Sequence, residues 1–135
     1  KFDEISKLFD QLGVYCGEVA KEWELGSNFI TFTGAWANVN KRYNFNWPHV
    51  HTGSIFSLIY YVRVPKHSGS LMFERPDPMK YAFMPETSNE YTNTLYRIEP
   101  KEHMFVIFPS YISHGVSPNC STDYRISLAA NIDVS

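Results

Sequence analysis

The chain is poor in cysteine and has no long hydrophobic run, and both absences exclude whole classes of protein. Cys16 and Cys120 are its only cysteines; they stand far apart and form no CxxC pair, so neither a zinc knuckle nor a dithiol redox motif is available. Two reduced thiols in a cytoplasmic protein are the expectation, with one disulfide as the alternative. No apolar stretch approaches the roughly 18 residues of a membrane span. Charge of one sign is also missing. A formal net charge of -2 and a pI near 6.2 give no basic footprint for nucleic acid and no patch for a membrane surface. The chain opens on Lys without a signal peptide, and removal of a leader or N-terminal segment is expected at that end. Asn119-Cys-Ser has the form of a glycosylation sequon, but short sequons arise often by chance and no secretory signal accompanies it.

What is present is apolar surface. Hydrophobic residues make up 44% of the chain and aromatics 16%, enough to offset chain entropy and form one globular domain over 1–135. Phe2, Ile5, Leu8, Phe9 and Leu12 fall at three- and four-residue spacing opposite Asp3, Glu4, Lys7 and Asp10, the pattern of an amphipathic helix. A second helical segment, Val14 to Leu25, follows around Val19 and Trp23, and Gly13 and Gly17 argue against one continuous helix. Residues 1–27 therefore read as a helical buttress. From 28 to 135 the texture is that of strands. Phe29 to Thr33, Ser54 to Val64, Ser70 to Phe73, Tyr91 to Ile98, Met104 to Phe108 and Tyr124 to Ile132 are rich in β-branched and aromatic residues. Turn signals separate them at Lys66-His-Ser-Gly, Arg75-Pro-Asp-Pro, Pro85-Glu-Thr-Ser-Asn and Pro100-Lys-Glu-His. The expected fold is mainly β, a double-stranded β-helix or jelly roll with N-terminal helices packed on one face.

Four residues carry the chemistry. His49 and His51 stand one residue apart in Trp-Pro-His-Val-His, and on a strand that spacing puts both imidazoles on one side of the sheet. His114, in Tyr-Ile-Ser-His-Gly-Val-Ser-Pro, would add a third donor from another strand. Arg125 follows as a cation suited to an anionic cosubstrate. Three nitrogen donors on one face, with open positions opposite, make a plausible oxygenase metal site. The bland reading of an isolated histidine is a surface or hydrogen-bonded core residue, and it is the one adopted for His67 and His103. Asn40 and Asn44 read as turn residues, Asn38 and Asn46 as candidate pocket residues, Trp36 as core, and Tyr43 as core or pocket wall. Lys41-Arg42 reads as a solvated face, and Asn131 as a possible cosubstrate or substrate contact.

Taken in order, several segments resemble the 2-oxoglutarate/Fe(II)-dependent dioxygenases, in particular the prolyl-4-hydroxylase-like branch and its small bacterial and phage members. They are Trp-Ala-Asn-Val-Asn (36–40), Pro-His-Val-His (48–51), Ile-Tyr-Tyr-Val-Arg-Val-Pro (59–65), Ser-Gly-Ser-Leu-Met-Phe (68–73), Phe-Pro-Ser-Tyr-Ile-Ser-His-Gly-Val-Ser-Pro (108–118) and Tyr-Arg-Ile-Ser-Leu-Ala-Ala-Asn (124–131). The resemblance implies Fe(II), 2-oxoglutarate and O₂, with His49 and His114 as iron ligands. It implies Arg125 on the distal carboxylate of 2-oxoglutarate, with Ser127 beside it on the same strand face and Tyr61 reaching the same cosubstrate. Strand parity puts Ser57, Ile59 and Tyr61 in one inward row and Tyr60 on the opposite, packing face.

The departure is His51, where the family pattern has Asp or Glu. An imidazole there leaves the centre one unit more positive; the i, i+2 geometry favours His51 as ligand, with Glu74 or Asp77 as the carboxylate alternatives. The activity that the resemblance implies is hydroxylation of an unactivated C–H bond with release of succinate and CO₂. The substrate, a small molecule or peptide, would be chosen by loops such as Arg75 to Ser88. Two rival readings are a cupin-like three-histidine enzyme that needs no keto acid, and a jelly-roll binding module without catalysis.

Overall fold

The computed structural model of the chain describes residues 2–26, 29–76, 87 and 89–135. The helix α1 (Phe2–Glu22) runs without a break through both glycines, where the sequence suggested two segments. Packing is the reason. Gly13 and Gly17 lie one turn apart and both look onto the sheet, with added Cβ atoms meeting Phe32 at 3.6 Å and Ile30 at 3.8 Å. Tertiary contact therefore outweighs the propensity cost of about 1 kcal/mol per glycine. The face that α1 buries is Leu12, Cys16 and Ala20, flanked by Leu8 and Val19. Ile5, expected on that face, is half exposed.

Eight strands follow among the described residues: β1 (Ile30–Asn40), β2 (Asn46–His49), β3 (Phe56–Arg63), β4 (Leu71–Glu74), β5 (Leu95–Ile98), β6 (Phe105–Pro109), β7 (His114–Val116) and β8 (Arg125–Val134). They form two four-stranded antiparallel sheets, ordered β1-β8-β3-β6 and β2-β7-β4-β5. The chain passes repeatedly from one sheet to the other, the jelly-roll arrangement. β1 extends well beyond the expected Phe29–Thr33, with a bulge between Phe32 and Gly34. The stretch 91–94, expected to be extended, is turn and bend ahead of β5.

Alternation along the β1-β8-β3-β6 sheet separates core from site. Phe56, Leu58 and Ile132 pack against α1, with Tyr60 beside them. Tyr61, Ser127, Ala129 and Arg125 point the other way, into the space between the sheets. Tyr60 is thus on the packing face, as parity requires, and its hydroxyl is 3.0 Å from His103 Nδ1. No helix among the described residues is long and apolar enough to cross a membrane.

Candidate functional site

Between the sheets lies a pocket to which strands of both sheets contribute, His49, His114 and Val116 from one and Tyr61, Arg125 and Ser127 from the other. Three neighbouring strands supply its floor. Ser127 on β8 pairs with Tyr61 on β3 and with Asn38 on β1, while Arg125 pairs with Asn40. The histidines stand at the other end. β2 and β7 pair so that His49 is directly opposite His114. That pairing depends on Gly115, where a Cβ would stand 2.9 Å from Asn46 O and 3.2 Å from Pro48 N.

His51 is not on the same strand as His49. β2 ends at His49, and the chain carries His51 past the strand end, anchored by its backbone N–H to Ser110 O at 2.9 Å. The expected convergence nonetheless occurs. Ring centroids lie 4.4 Å apart for His49 and His114, and 5.1 Å apart for His51 with each of them. Their candidate ligand atoms all fall within 4.8 Å of one another.

Hydrogen bonding sets the chemistry of these rings. Nδ1 of His49 is 2.7 Å from Trp47 O, Nδ1 of His114 is 2.9 Å from Ile112 O, and Nδ1 of His51 is 2.5 Å from Asn131 Oδ1. Each partner is a carbonyl oxygen, which only accepts, so each Nδ1 carries the proton and donates it. Each Nε2 then presents a lone pair, the form in which imidazole binds a metal. Burial pushes the His114 pKa down to about 4; its bond to Ile112 opposes this and the other two histidines add to it. His114 is therefore neutral at physiological pH.

At the opposite end Arg125 is almost wholly buried and has no carboxylate partner among the described residues. Its Nη1 donates to Ser68 O at 2.5 Å. Burial lowers its pKa, and the neighbouring Tyr61 pulls in the other direction. Burial likewise pushes the Tyr61 phenol up to about 12, against the pull of Arg125, so it remains a hydroxyl donor. No acidic side chain among the described residues lines this cavity.

Several expectations need correcting. Trp36 is not core: it is 39% exposed, lines the cavity and stands 5.6 Å from the His51 ring. Asn40 is not a turn residue but the buried end of β1, in the cavity wall with Asn38 and Asn46. Asn44 does make the turn, accepting from Lys41 N at 2.8 Å. Tyr43 is neither core nor wall; it is exposed, with Arg42 over its ring at 4.8 Å. Asn131 does not line the cavity, its amide oxygen being engaged by His51. Glu74 is outside the histidine group and borders a separate groove, while Asp77 and most of the Arg75–Ser88 loop lie outside the described residues. Asn119 is fully buried, its amide bonded to Asn40 O and Asp123 O, so the sequon is closed in the folded chain. Ser57 and Ile59 line the pocket with Tyr61, as their inward row requires, whereas sequence reasoning missed Phe108, Val116 and Ala129 as wall residues; the parity of Arg125 and Ser127 on β8 would have found Ala129 too.

A family model described as "Putative 2OG-Fe(II) oxygenase" matches residues 34–131. Among curated proteins, none matches. The fold is similar to that of an oxidoreductase of the 2OG-Fe(II) oxygenase family from Burkholderia pseudomallei, with a TM-score of 0.64 at 11% identity over 85% of this chain and 50% of that one. It is similar also to a prolyl-4-hydroxylase from Pseudomonas putida, with a TM-score of 0.63 at 18% identity over 94% of this chain and 62% of that one. The chain thus spans about half to three-fifths of the length of these two structures.

Proposed function

The chain belongs to the 2OG-Fe(II) oxygenase family, and from that premise we propose that it holds Fe(II) on His49, His51 and His114. On the same reading it binds 2-oxoglutarate through Arg125, Ser127 and Tyr61, and oxidises a small-molecule or peptide substrate with O₂. The donor set fits the metal, because ring nitrogens of the three imidazoles lie within 4.8 Å of one another and hydrogen bonds from Nδ1 to carbonyl oxygens leave each Nε2 as the free donor. The observation that carries the cosubstrate is Arg125. A buried guanidinium with no acidic partner among the described residues is costly to maintain, and it lines the same cavity as the three imidazoles. A dicarboxylate supplies the missing counter-charge, and the guanidinium fork matches a carboxylate in bidentate geometry.

When bound, Fe(II) with O₂ and 2-oxoglutarate supplies the oxidising chemistry, coupling release of succinate and CO₂ to hydroxylation of an unactivated C–H bond. The protein's own residues do the positioning. Arg125 orients the distal carboxylate, and the Ser127 and Tyr61 hydroxyls donate to it. Asn38, Asn40 and Asn46 present amides to the remaining space, while Trp36, Ile59, Phe108 and Val116 limit water. With three neutral ligands and no acid in its described lining, the site disfavours a cationic group beside the metal. The free thiols, Cys16 buried and Cys120 exposed, are in keeping with a cytoplasmic setting.

The three-histidine face also favours a second reading, a cupin-like enzyme independent of 2-oxoglutarate, but that reading gives Arg125 no task. The deciding experiment is an anaerobic Fe(II) and 2-oxoglutarate titration followed by the metal-to-ligand charge-transfer band. The band is expected in the wild type and lost in Arg125→Ala, with metal binding retained. Unchanged 2-oxoglutarate affinity in Arg125→Ala would overturn the assignment. Oxygen uptake indifferent to 2-oxoglutarate would establish the second reading instead.

A further inference from the structure

Two of the three histidines are oriented by the same local device. Nδ1 of His49 donates to the carbonyl two residues earlier, Trp47 O, and Nδ1 of His114 donates to the carbonyl two residues earlier, Ile112 O. His51 lacks that arrangement, since it lies past the end of β2. Its Nδ1 instead meets Asn131 Oδ1 at 2.5 Å, a side chain from β8 and 80 positions along the chain.

We propose that Asn131 is the positioning residue for the third imidazole, fixing the proton of His51 on Nδ1 and so leaving Nε2 free for a metal. The proposal rests on the metal reading above and adds a residue to it.

The surroundings show why an acceptor is needed. Ser57 Oγ also lies 3.3 Å from His51 Nδ1, 3.4 Å from Asn131 Oδ1 and 2.8 Å from Ser110 Oγ. A hydroxyl both donates and accepts, so Ser57 alone does not determine which ring nitrogen holds the proton. An amide oxygen only accepts, and it is the closer of the two. Were that oxygen removed, the Ser57 hydroxyl could turn to donate into Nδ1. The proton would then sit on Nε2, the nitrogen that Asn131 and Ser57 leave free, and the third donor would be blocked. Asn131 also has the correct charge for the task. It is a neutral acceptor, so it orients the ring without adding charge behind it, whereas a carboxylate there would make the ring a stronger donor.

The test is made on the metal-free protein, above the usual histidine pKa of about 6.5, by reading the tautomer of each ring from its ¹⁵N shifts. Co(II) titration serves as the metal probe. Wild-type His51 is expected as the Nδ1–H form. Asn131→Ala should move His51 to the Nε2–H form, leave His49 and His114 unchanged, and weaken Co(II) binding by about 10- to 100-fold. Asn131→Asp keeps an acceptor oxygen and should restore both the Nδ1–H form and Co(II) affinity. Ser57→Ala keeps the proposal falsifiable if Asn131→Ala does not fold, since His51 should remain Nδ1–H in it. An unaltered His51 tautomer in Asn131→Ala, a tautomer change in Ser57→Ala, or a tautomer change with unaltered Co(II) affinity would each overturn the proposal. A wild type that binds no Co(II) while its His51 tautomer still depends on Asn131 would sink the metal reading alone.

Discussion

Gly69 lies against Arg125 in a contact that only a residue without a side chain permits. Its φ is +93°, and an added Cβ would stand 2.9 Å from Arg125 Nη1, 2.9 Å from Pro118 O and 2.3 Å from Ser117 O. Two of those neighbours are backbone and cannot swing away, so the guanidinium is wedged by the main chain of the 68–69 turn on one side while Ser68 O accepts from it. Gly69→Ala should therefore cost more than about 1 kcal/mol of stability and displace Arg125. Thermal unfolding with and without 2-oxoglutarate separates the two effects. The variant should melt lower and gain less from the ligand, with Co(II) binding intact. A variant that melts and binds 2-oxoglutarate as the wild type does would contradict this packing.

Tyr61 should act through its hydroxyl. It pairs with Ser127 across β3 and β8, and its phenol stays protonated up to about pH 12. A hydrogen bond to a charged group is worth about 1.5–3 kcal/mol. Tyr61→Phe is thus expected to raise the 2-oxoglutarate dissociation constant by about 10- to 100-fold, with metal binding unaffected. An isothermal titration showing less than a twofold change (about 0.4 kcal/mol) would remove Tyr61 from the cosubstrate site.

The roles expected of Tyr61, Ser127 and Arg125 came from the family resemblance, while the faces they occupy were legible because strand parity is a strong signal. Once 57–61 reads as a strand, the faces of Tyr60 and Tyr61 are decided, and the same alternation puts Arg125 and Ser127 on one side. What escaped the sequence was set by contacts that no local pattern encodes. β2 carries Pro48 and β7 carries Gly115, neither a strand former; β2 exists because β7 supplies its pairing, and β7 because β2 and β4 flank it. Trp36 has the composition of a core residue on either side of a sheet, and only the arrangement of the second sheet makes it a wall. His51 was expected to be presented by the alternation of a strand; a backbone bond to Ser110 and a side-chain bond to Asn131 present it instead.

The two thiols should differ sharply in reactivity. Cys16 is fully buried on the core-facing side of α1, and burial pushes its thiol up to about 11, so it offers neither access nor thiolate at neutral pH. Cys120 is exposed. A disulfide reagent should label one thiol per chain in the native protein and a second only on unfolding. Mass mapping should place the first label on Cys120, and rapid labelling of Cys16 would show that α1 does not pack as described.

Acid should destabilise the metal-free protein through His114. Its pKa in the folded chain, about 4, lies below the ordinary value of 6.5. As pH falls below about 6.5 the unfolded chain takes up a proton that the folded chain refuses until near pH 4. The unfolded state then binds more protons, and stability falls with pH. The contribution is complete above about pH 6.5, is lost progressively between there and about pH 4, and changes no further below. Its upper bound is roughly 3–4 kcal/mol, since the two pKa values lie about 2.5 apart and each pKa unit corresponds to about 1.4 kcal/mol. Urea unfolding of the metal-free wild type should show this slope, and His114→Gln, which has no imidazole to titrate, should lose it. Metal should steepen the profile, because protons and the ion compete for the same nitrogens. An equal acid slope in His114→Gln would mean that other groups carry the transition.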